Sequence, residues 1–183
     1  MSKTIFDCLQ ELEPELVKIA NSIEDIFFDD PHGVLVKARL FTEKMTKKVA
    51  EFENLPHLLS SRQVDRVQYL DQERILTKEI ARAFDTIRTI GNKASHESLQ
   101  ADFELAFKVH KNLYKISAWF LELYGPHDIE IPEYQSPIPK RDEGINKEEI
   151  NKMLESIVSK QFTAVSQQLA ALIQEKRDQI EPT

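Results

Sequence analysis

Three polar residues whose side chains could act on a phosphodiester lie four residues apart in the segment RTIGNKASH, residues 88–96. They are Arg88, Asn92 and His96. An arginine can pair with phosphate charge, a histidine can transfer a proton near neutral pH, and an asparagine can orient either group. Such a set could cleave RNA without a metal, with the 2′-hydroxyl of the substrate as the nucleophile.

The spacing of these residues also fits a purely structural role. At about 100° per residue, a continuous helix places Arg88, Asn92 and His96 on one flank, beside its apolar stripe. Arg88 would then pair with a nearby acid such as Asp85 or Glu97, and the other two would cap the helix end. Residue types alone leave both interpretations open.

Gly91 interrupts the same segment on the apolar side of the helix. A glycine inside a helix costs about 1 kcal/mol relative to alanine. The sequence therefore predicts a compensating contact, in which a second helix approaches closely at residue 91.

Helical periodicity dominates the chain and predicts the elements that position these residues. Pro14 suits the first position of one helix, and Asp30 followed by Pro31 begins a second. A shorter third helix follows through SRQVDRVQYLDQ, with both signs of charge, and is predicted to be solvated. A fourth helix spans roughly residues 75–95, and Ser98 caps a fifth that ends at Tyr124.

Apolar residues recur every three to four positions along these helices, which predicts faces that pack on a common core. In the second helix they are Val34, Ala38, Phe41, Met45, Val49 and Phe52, and in the fourth Ile80, Phe84, Ile87, Gly91 and Ala94. No alternating strand pattern of useful length is present. The predicted class is all-α, with a compact helical domain over residues 1–125.

Residues 126–144 contain four of the eight prolines in the chain, which predicts a stiff, extended connector. A long amphipathic helical tail is predicted over residues 145–183. Its apolar residues follow steps of four and three, as in a short coiled-coil seam: Val158, Phe162, Val165, Leu169 and Leu172. A thin helix of this kind needs a partner, which is its own helical domain, a second copy of the chain, or further chain beyond Thr183. Because the sequence stops just past this helix, we expect the natural protein to continue.

Composition narrows the classes of partner. The 183 residues are 41% hydrophobic and 30% charged, with a formal net charge of −7, as in an ordinary globular domain. No signal peptide or membrane-spanning run is apparent, which predicts a cytoplasmic protein. The single cysteine, isolated histidines and isolated glycines predict no metal site and no cofactor.

A second set of candidate nucleic-acid contacts lies on the second helix. Lys37, Lys44 and Lys48 flank its apolar stripe on one side and could touch a phosphate backbone. Acidic residues are interspersed among them, so a solvated, charge-balanced face is the alternative.

Two stretches carry a resemblance to a known family: FFDDPHGVLVKARLFTEKMTKKV, residues 27–49, and IRTIGNKASHE, residues 87–97. They resemble the helical domain at the N-terminus of type I restriction enzyme motor subunits and related helicase–nuclease proteins. That domain is grouped in the HEPN superfamily (higher eukaryotes and prokaryotes nucleotide-binding). The resemblance covers about residues 10–125 and implies a HEPN-like helical bundle.

HEPN ribonucleases carry an arginine directly followed by a polar residue, then three residues and a histidine, and they act as dimers. By this resemblance Asn92 and His96 match the polar residue and the histidine. Gly91 stands in the place of the arginine, and the nearest arginine is Arg88, almost one turn earlier.

The sequence supports three hypotheses. The first is a non-catalytic interaction or dimerisation module of a restriction-modification or phage-defence protein. Its partner would be a second copy or a larger restriction or helicase polypeptide, and it could also contact RNA or DNA. The second is a metal-independent ribonuclease that uses His96, supported by Asn92 and Arg88. The third is coiled-coil assembly through residues 150–175.

Overall fold

The computed structural model describes residues 4–96, with His96 by its backbone alone, and residues 103–139. Five α-helices are present in this part of the chain: α1 Pro14–Ile26, α2 Pro31–Phe52, α3 Gln63–Gln72, α4 Lys78–His96 and α5 Phe103–Tyr124. No strand occurs in these ranges, so the all-α class predicted from the sequence is confirmed. The predicted cap at Ser98 and the predicted tail helix lie outside the described residues.

Prolines begin α1 and α2, and a glycine ends α5. The side chain of Asp30 caps α2 by accepting a hydrogen bond of 2.8 Å from the Gly33 amide. Pro31 then occupies a first-turn position that needs no amide hydrogen. At the other end of the bundle, Gly125 donates its amide to the Leu121 carbonyl at 2.8 Å and α5 ends.

The long helix α2 lies at the centre of the bundle and packs against α1, α3, α4 and α5. Its predicted apolar stripe is fully buried except at its end, because Phe52 is 40% exposed and stacks on Tyr124 instead. The predicted face of α4 is buried throughout. A single core is therefore built around α2, and α4 lies on it with its apolar side inward.

Two features of the core were not predicted. A 3-10 helix at Asp7–Leu9 carries Ile5, Phe6 and Leu9 into the core ahead of α1. After α5, Ile129 and Ile131 pack against the core, and the Tyr114 hydroxyl donates a 2.9 Å hydrogen bond to the Pro132 carbonyl. The first part of the proline-rich segment thus lies on the helical bundle.

The prediction that α3 is solvated was wrong for one side of that helix. Arg66 is fully buried, and Gln63 is 6% exposed. The buried charge of Arg66 is compensated, because the guanidinium pairs with Glu43 and donates a 3.2 Å hydrogen bond to the Thr46 hydroxyl of α2. Mixed charge in the sequence therefore did not mark a solvent-facing helix.

Candidate functional site

The helix α4 holds Arg88, Asn92 and His96 in one continuous stretch, so the three follow each other at successive turns. The Arg88 side chain is turned back along the helix towards Asp85. Its Nη2 lies 2.6 Å and its Nε 3.1 Å from the Asp85 Oδ1. This is one of the two acid pairings that the structural interpretation predicted, and Glu97, the other acid, lies outside the described residues.

The Arg88–Asp85 pair is held at the surface, since the Arg88 side chain is 27% exposed and that of Asp85 is 60% exposed. Asn92, one turn further on, is partly buried. The arginine charge is thus already compensated by a carboxylate. A catalytic role for Arg88, Asn92 and His96 stays a prediction.

Gly91 is buried where α4 crosses α2. A β carbon placed on it would stand 2.7 Å from the Cβ of Arg39 and 3.0 Å from the Leu35 carbonyl oxygen. Carbon atoms do not pack at 2.7 Å, so the two backbones could not lie this close with any larger residue at 91. The close approach of a second helix predicted from the sequence is confirmed.

The face of α2 that carries Lys37, Lys44 and Lys48 also contacts acidic side chains, which neutralise part of its positive charge. Lys44 pairs with Glu15 of α1, and Lys48 lies 3.1 Å from Glu13 and 3.3 Å from Glu51. The hydrogen bond to Glu13, more than any other contact, raises the pKa of Lys48 above its ordinary value.

Lys37, the third predicted contact, is partly buried, and no ion pair to it is present among residues 4–96 and 103–139. Two of the three lysines predicted to contact nucleic acid are therefore neutralised within the domain. The predicted role of this face stays a prediction.

A buried histidine forms a second polar cluster that was not predicted. His110 of α5 is 2% exposed, its Nδ1 lies 3.2 Å from the Tyr134 hydroxyl, and its Nε2 lies 3.7 Å from Glu24 Oε1. A narrow cleft beside it is lined by these side chains together with Thr4, Phe6 and Tyr114. The signal in the sequence was its spacing, because His110 follows Ala106 by four residues and precedes Leu113 by three on the buried side of α5.

This cluster ties the segment after α5 to the bundle. Burial raises the pKa of the Tyr134 hydroxyl above its ordinary value, and this hydroxyl lies within hydrogen-bond distance of His110.

Within the described ranges, no group of three or more His, Cys, Asp or Glu side chains is arranged to hold a metal ion. No helix in those ranges is both long and apolar enough to cross a bilayer.

Comparison with known proteins adds a family and a relative. The chain is 26% identical over 151 residues to the type I restriction enzyme EcoKI endonuclease subunit of Escherichia coli (strain K12). The match takes in 82% of this chain and 12% of that relative, so the chain spans only a small part of its length. No solved structure matches significantly.

A family match covers most of the helical bundle and continues past α5. Residues 21–147 match the family described as a domain of unknown function, DUF4145. The matched range contains α2, α4 and the Gly91 crossing, together with the segment that Tyr134 ties to the bundle. The chain therefore belongs to the DUF4145 family.

Proposed function

We propose that this chain is an accessory, non-catalytic helical interaction module of a prokaryotic restriction-modification or phage-defence protein. The similarity to a restriction endonuclease subunit supports the association with such a system. The same comparison spans 12% of that subunit, so the similarity concerns one part of a much larger polypeptide. A second copy of the chain or a larger restriction polypeptide is the partner.

The crossing of α2 and α4 at Gly91 carries the non-catalytic part of this proposal. In the HEPN ribonucleases that the sequence resembles, the residue directly before the polar one is an arginine. Here that position is buried against Arg39 and the Leu35 backbone. An arginine side chain at 91 would have to displace α2, so a helix contact occupies the place of a catalytic group.

The state of Arg88 supports the same proposal. It lies almost one turn from position 91, and both its Nε and Nη2 donate to Asp85. A substrate phosphate would have to compete with a carboxylate already held by two charge-assisted hydrogen bonds. Arg88 is thus a poor replacement for the missing arginine.

An RNA cleavage assay in EDTA decides between this proposal and its alternative, a metal-independent ribonuclease that uses His96. The alternative is favoured by the Asn92 to His96 spacing on a continuous helix. We expect no cleavage of a mixed-sequence RNA by the wild type or by His96→Ala. His57→Ala is the matched control, since His57 lies exposed in the short 3-10 helix Pro56–Leu58 after α2.

Cleavage that survives EDTA, spares a DNA of the same sequence, and is lost in His96→Ala but kept in His57→Ala would establish the ribonuclease instead. DNA is the right comparison because it lacks the 2′-hydroxyl that the mechanism requires. Cleavage that persists in both variants would point to a contaminating nuclease and leave the non-catalytic proposal in place.

The dimer form of the interaction proposal has its own measurement. Light scattering on the purified chain should give twice the 21.2 kDa of one copy. A mass of one copy at high concentration would exclude the homodimer and leave a larger polypeptide as the partner. The second possibility, a larger polypeptide as partner, is tested by coexpressing the chain with a restriction endonuclease polypeptide. Co-purification of the two at a fixed ratio would support it.

A further inference from the structure

The segment after α5, residues 126–139, lies along the bundle as an extended strap to which no helix or strand is assigned. Every third residue of its second half is partly buried, namely Ile131, Tyr134 and Pro137, whereas most residues between them are exposed. A period of three is typical of a polyproline II chain, which has no internal backbone hydrogen bonds. The strap is therefore held by its contacts with the bundle rather than by a regular structure of its own.

Two side chains of α5, about one turn apart, form the groove that holds the strap. The Tyr114 hydroxyl donates a 2.9 Å hydrogen bond to the Pro132 carbonyl, and the His110 Nδ1 lies 3.2 Å from the Tyr134 hydroxyl. The centroid of the Tyr134 ring lies 5.3 Å from that of Tyr114 and 5.7 Å from that of His110. The groove thus fits a particular sequence, with a free carbonyl at one residue and a phenol two residues later.

The strap reaches this groove through a tight hinge at the end of α5. Because residue 132 contacts residue 114 and residue 134 contacts residue 110, the strap runs antiparallel to α5 and the hinge reverses the chain. Gly125 donates its amide to the Leu121 carbonyl at 2.8 Å, and a β carbon on Gly125 would clash with that oxygen. The Ile129 amide then donates to the Pro126 carbonyl at 3.1 Å in a second turn. The reversal therefore depends on a residue without a side chain.

A tight hinge followed by a segment that binds through its own side chains is the arrangement from which two copies of a chain exchange an element. When the hinge opens, the strap extends away from its own α5 and can lie in the groove of a second copy. That copy offers the same groove and carries the same strap, so every strap contact is kept. Exchange relieves two tight hinges, and its cost is the association of two chains.

We propose that the groove at His110 and Tyr114 is the docking site for the strap of a second copy, so that two chains exchange residues 126–139 and form a symmetric dimer. Each copy gives its strap and receives that of its partner, so the interface is closed and adds no third copy. This inference rests on the second-copy form of the proposed function and names the surfaces through which the two copies meet.

Isotope-filtered NMR distinguishes an exchanged strap from one bound to its own bundle. Full chain labelled with ¹³C and ¹⁵N is mixed with unlabelled chain, and the two are unfolded in urea and refolded together so that mixed dimers form. We expect nuclear Overhauser contacts between the Tyr134 ring of one copy and the His110 ring of the other. His57 and Tyr69, whose ring centroids lie 5.4 Å apart within the bundle, are the matched control and should show contacts within one copy only.

Gly125→Ala tests the hinge. The added methyl would clash with the Leu121 carbonyl in the tight turn, and an extended hinge separates the two groups. We expect the dissociation constant of the dimer, measured by sedimentation equilibrium, to fall at least about tenfold. Gly91→Ala is the matched control, because its methyl would clash with α2 and not with the hinge, and it should leave the constant unchanged. Tyr134→Ala removes the anchor of the strap and should shift the chain towards the monomer.

The outcomes separate this inference from the proposed function. A dimer in which Tyr134 contacts His110 of its own copy only would overturn the exchange and leave the homodimer in place. Equal effects of Gly125→Ala and Gly91→Ala on the dimer would also overturn it. A mass of one copy at all concentrations would exclude both the exchange and the homodimer, and a larger polypeptide would stay as the proposed partner. Circular dichroism of each variant checks that the fold is kept.

Discussion

At the scale of single residues, Gly91 determines how closely two helices pack. Its hydrogen atom takes the place of a side chain where the Cβ of Arg39 and the Leu35 carbonyl meet α4. The cost of glycine in a helix, about 1 kcal/mol, is offset by this contact. The aliphatic part of the Arg39 side chain also lies over Gly91, so a single glycine allows both a backbone and a side chain of α2 to approach α4.

Gly91→Ala should destabilise the domain, although alanine is the better helix former. The added methyl would stand 2.7 Å from a β carbon that cannot swing away without moving α2. We expect a loss of about 1–3 kcal/mol in the free energy of unfolding, measured by urea denaturation. Thr89→Ala, on the exposed side of α4, is the control. A more stable Gly91→Ala protein would show that the helices are not in close contact there.

At the scale of elements, α3 is attached to α2 through a buried polar network rather than through apolar packing alone. Arg66 donates to the Thr46 hydroxyl at 3.2 Å and to the Leu58 carbonyl at 3.2 Å, and it pairs with Glu43. Gln63 adds a 3.0 Å hydrogen bond to the Thr42 hydroxyl. The buried side chains of Arg66 and Gln63 thus both have partners, which offsets the cost of removing the arginine charge from water.

Arg66→Ala should therefore be strongly destabilising, because it leaves the Glu43 carboxylate and two buried acceptors without their donor. We expect a loss of about 3 kcal/mol or more in the free energy of unfolding. Arg62→Ala is the matched control: Arg62 also lies beside α3 and pairs with an acid, Asp65, but its side chain is 81% exposed. Its loss should have little effect. Equal effects of the two variants in denaturant titrations would contradict the assigned network.

At the scale of the whole molecule, two tyrosines link distant parts of the chain. The Tyr124 hydroxyl, at the end of α5, donates a 2.5 Å hydrogen bond to Glu53 after α2. Tyr134 lies against His110 and stacks edge-on with Tyr114. Burial raises the pKa of both phenols above the ordinary 10.0, and for Tyr124 the negative charge of Glu53 raises it further.

Stability should fall as the pH rises above about 10. The folded chain keeps both phenolic protons where the unfolded chain has lost them, so their contribution is complete below the ordinary pKa and is lost towards the folded values. Urea unfolding between about pH 8 and pH 11 should show this decline, and Tyr124→Phe should make it shallower. Tyr69→Phe controls for loss of a hydroxyl elsewhere. An unchanged slope in Tyr124→Phe would contradict the raised pKa.

Much of this architecture could be predicted because its signals are local. Proline and aspartate begin α2, glycine ends α5, and apolar residues every three to four positions define the buried faces. The glycine in α4 also predicted its close contact, because a helix retains an unfavourable residue only where something compensates. Phe52 was predicted to be buried but is exposed, because it lies at the end of α2 and at the edge of the core. The apolar spacing continues to this residue, but the neighbouring helices do not cover it fully.

The sequence by itself determined the helices, their inward faces and the demand for a contact at Gly91, since each depends on residues within a turn or two. Tertiary structure alone decided the partners of charged groups. Arg66 can be buried because the fold places it beside Glu43 and Thr46 of α2. These two partners are 20 or more residues away in the sequence, so no local pattern indicates them. Lys44 and Lys48 are neutralised by acids near the start of α1, whereas no ion pair to Arg39 occurs in the part of the chain that the structure describes. Charged residues do not recur at a fixed spacing along these helices. Which acid pairs with which base therefore depends on which helices pack against each other.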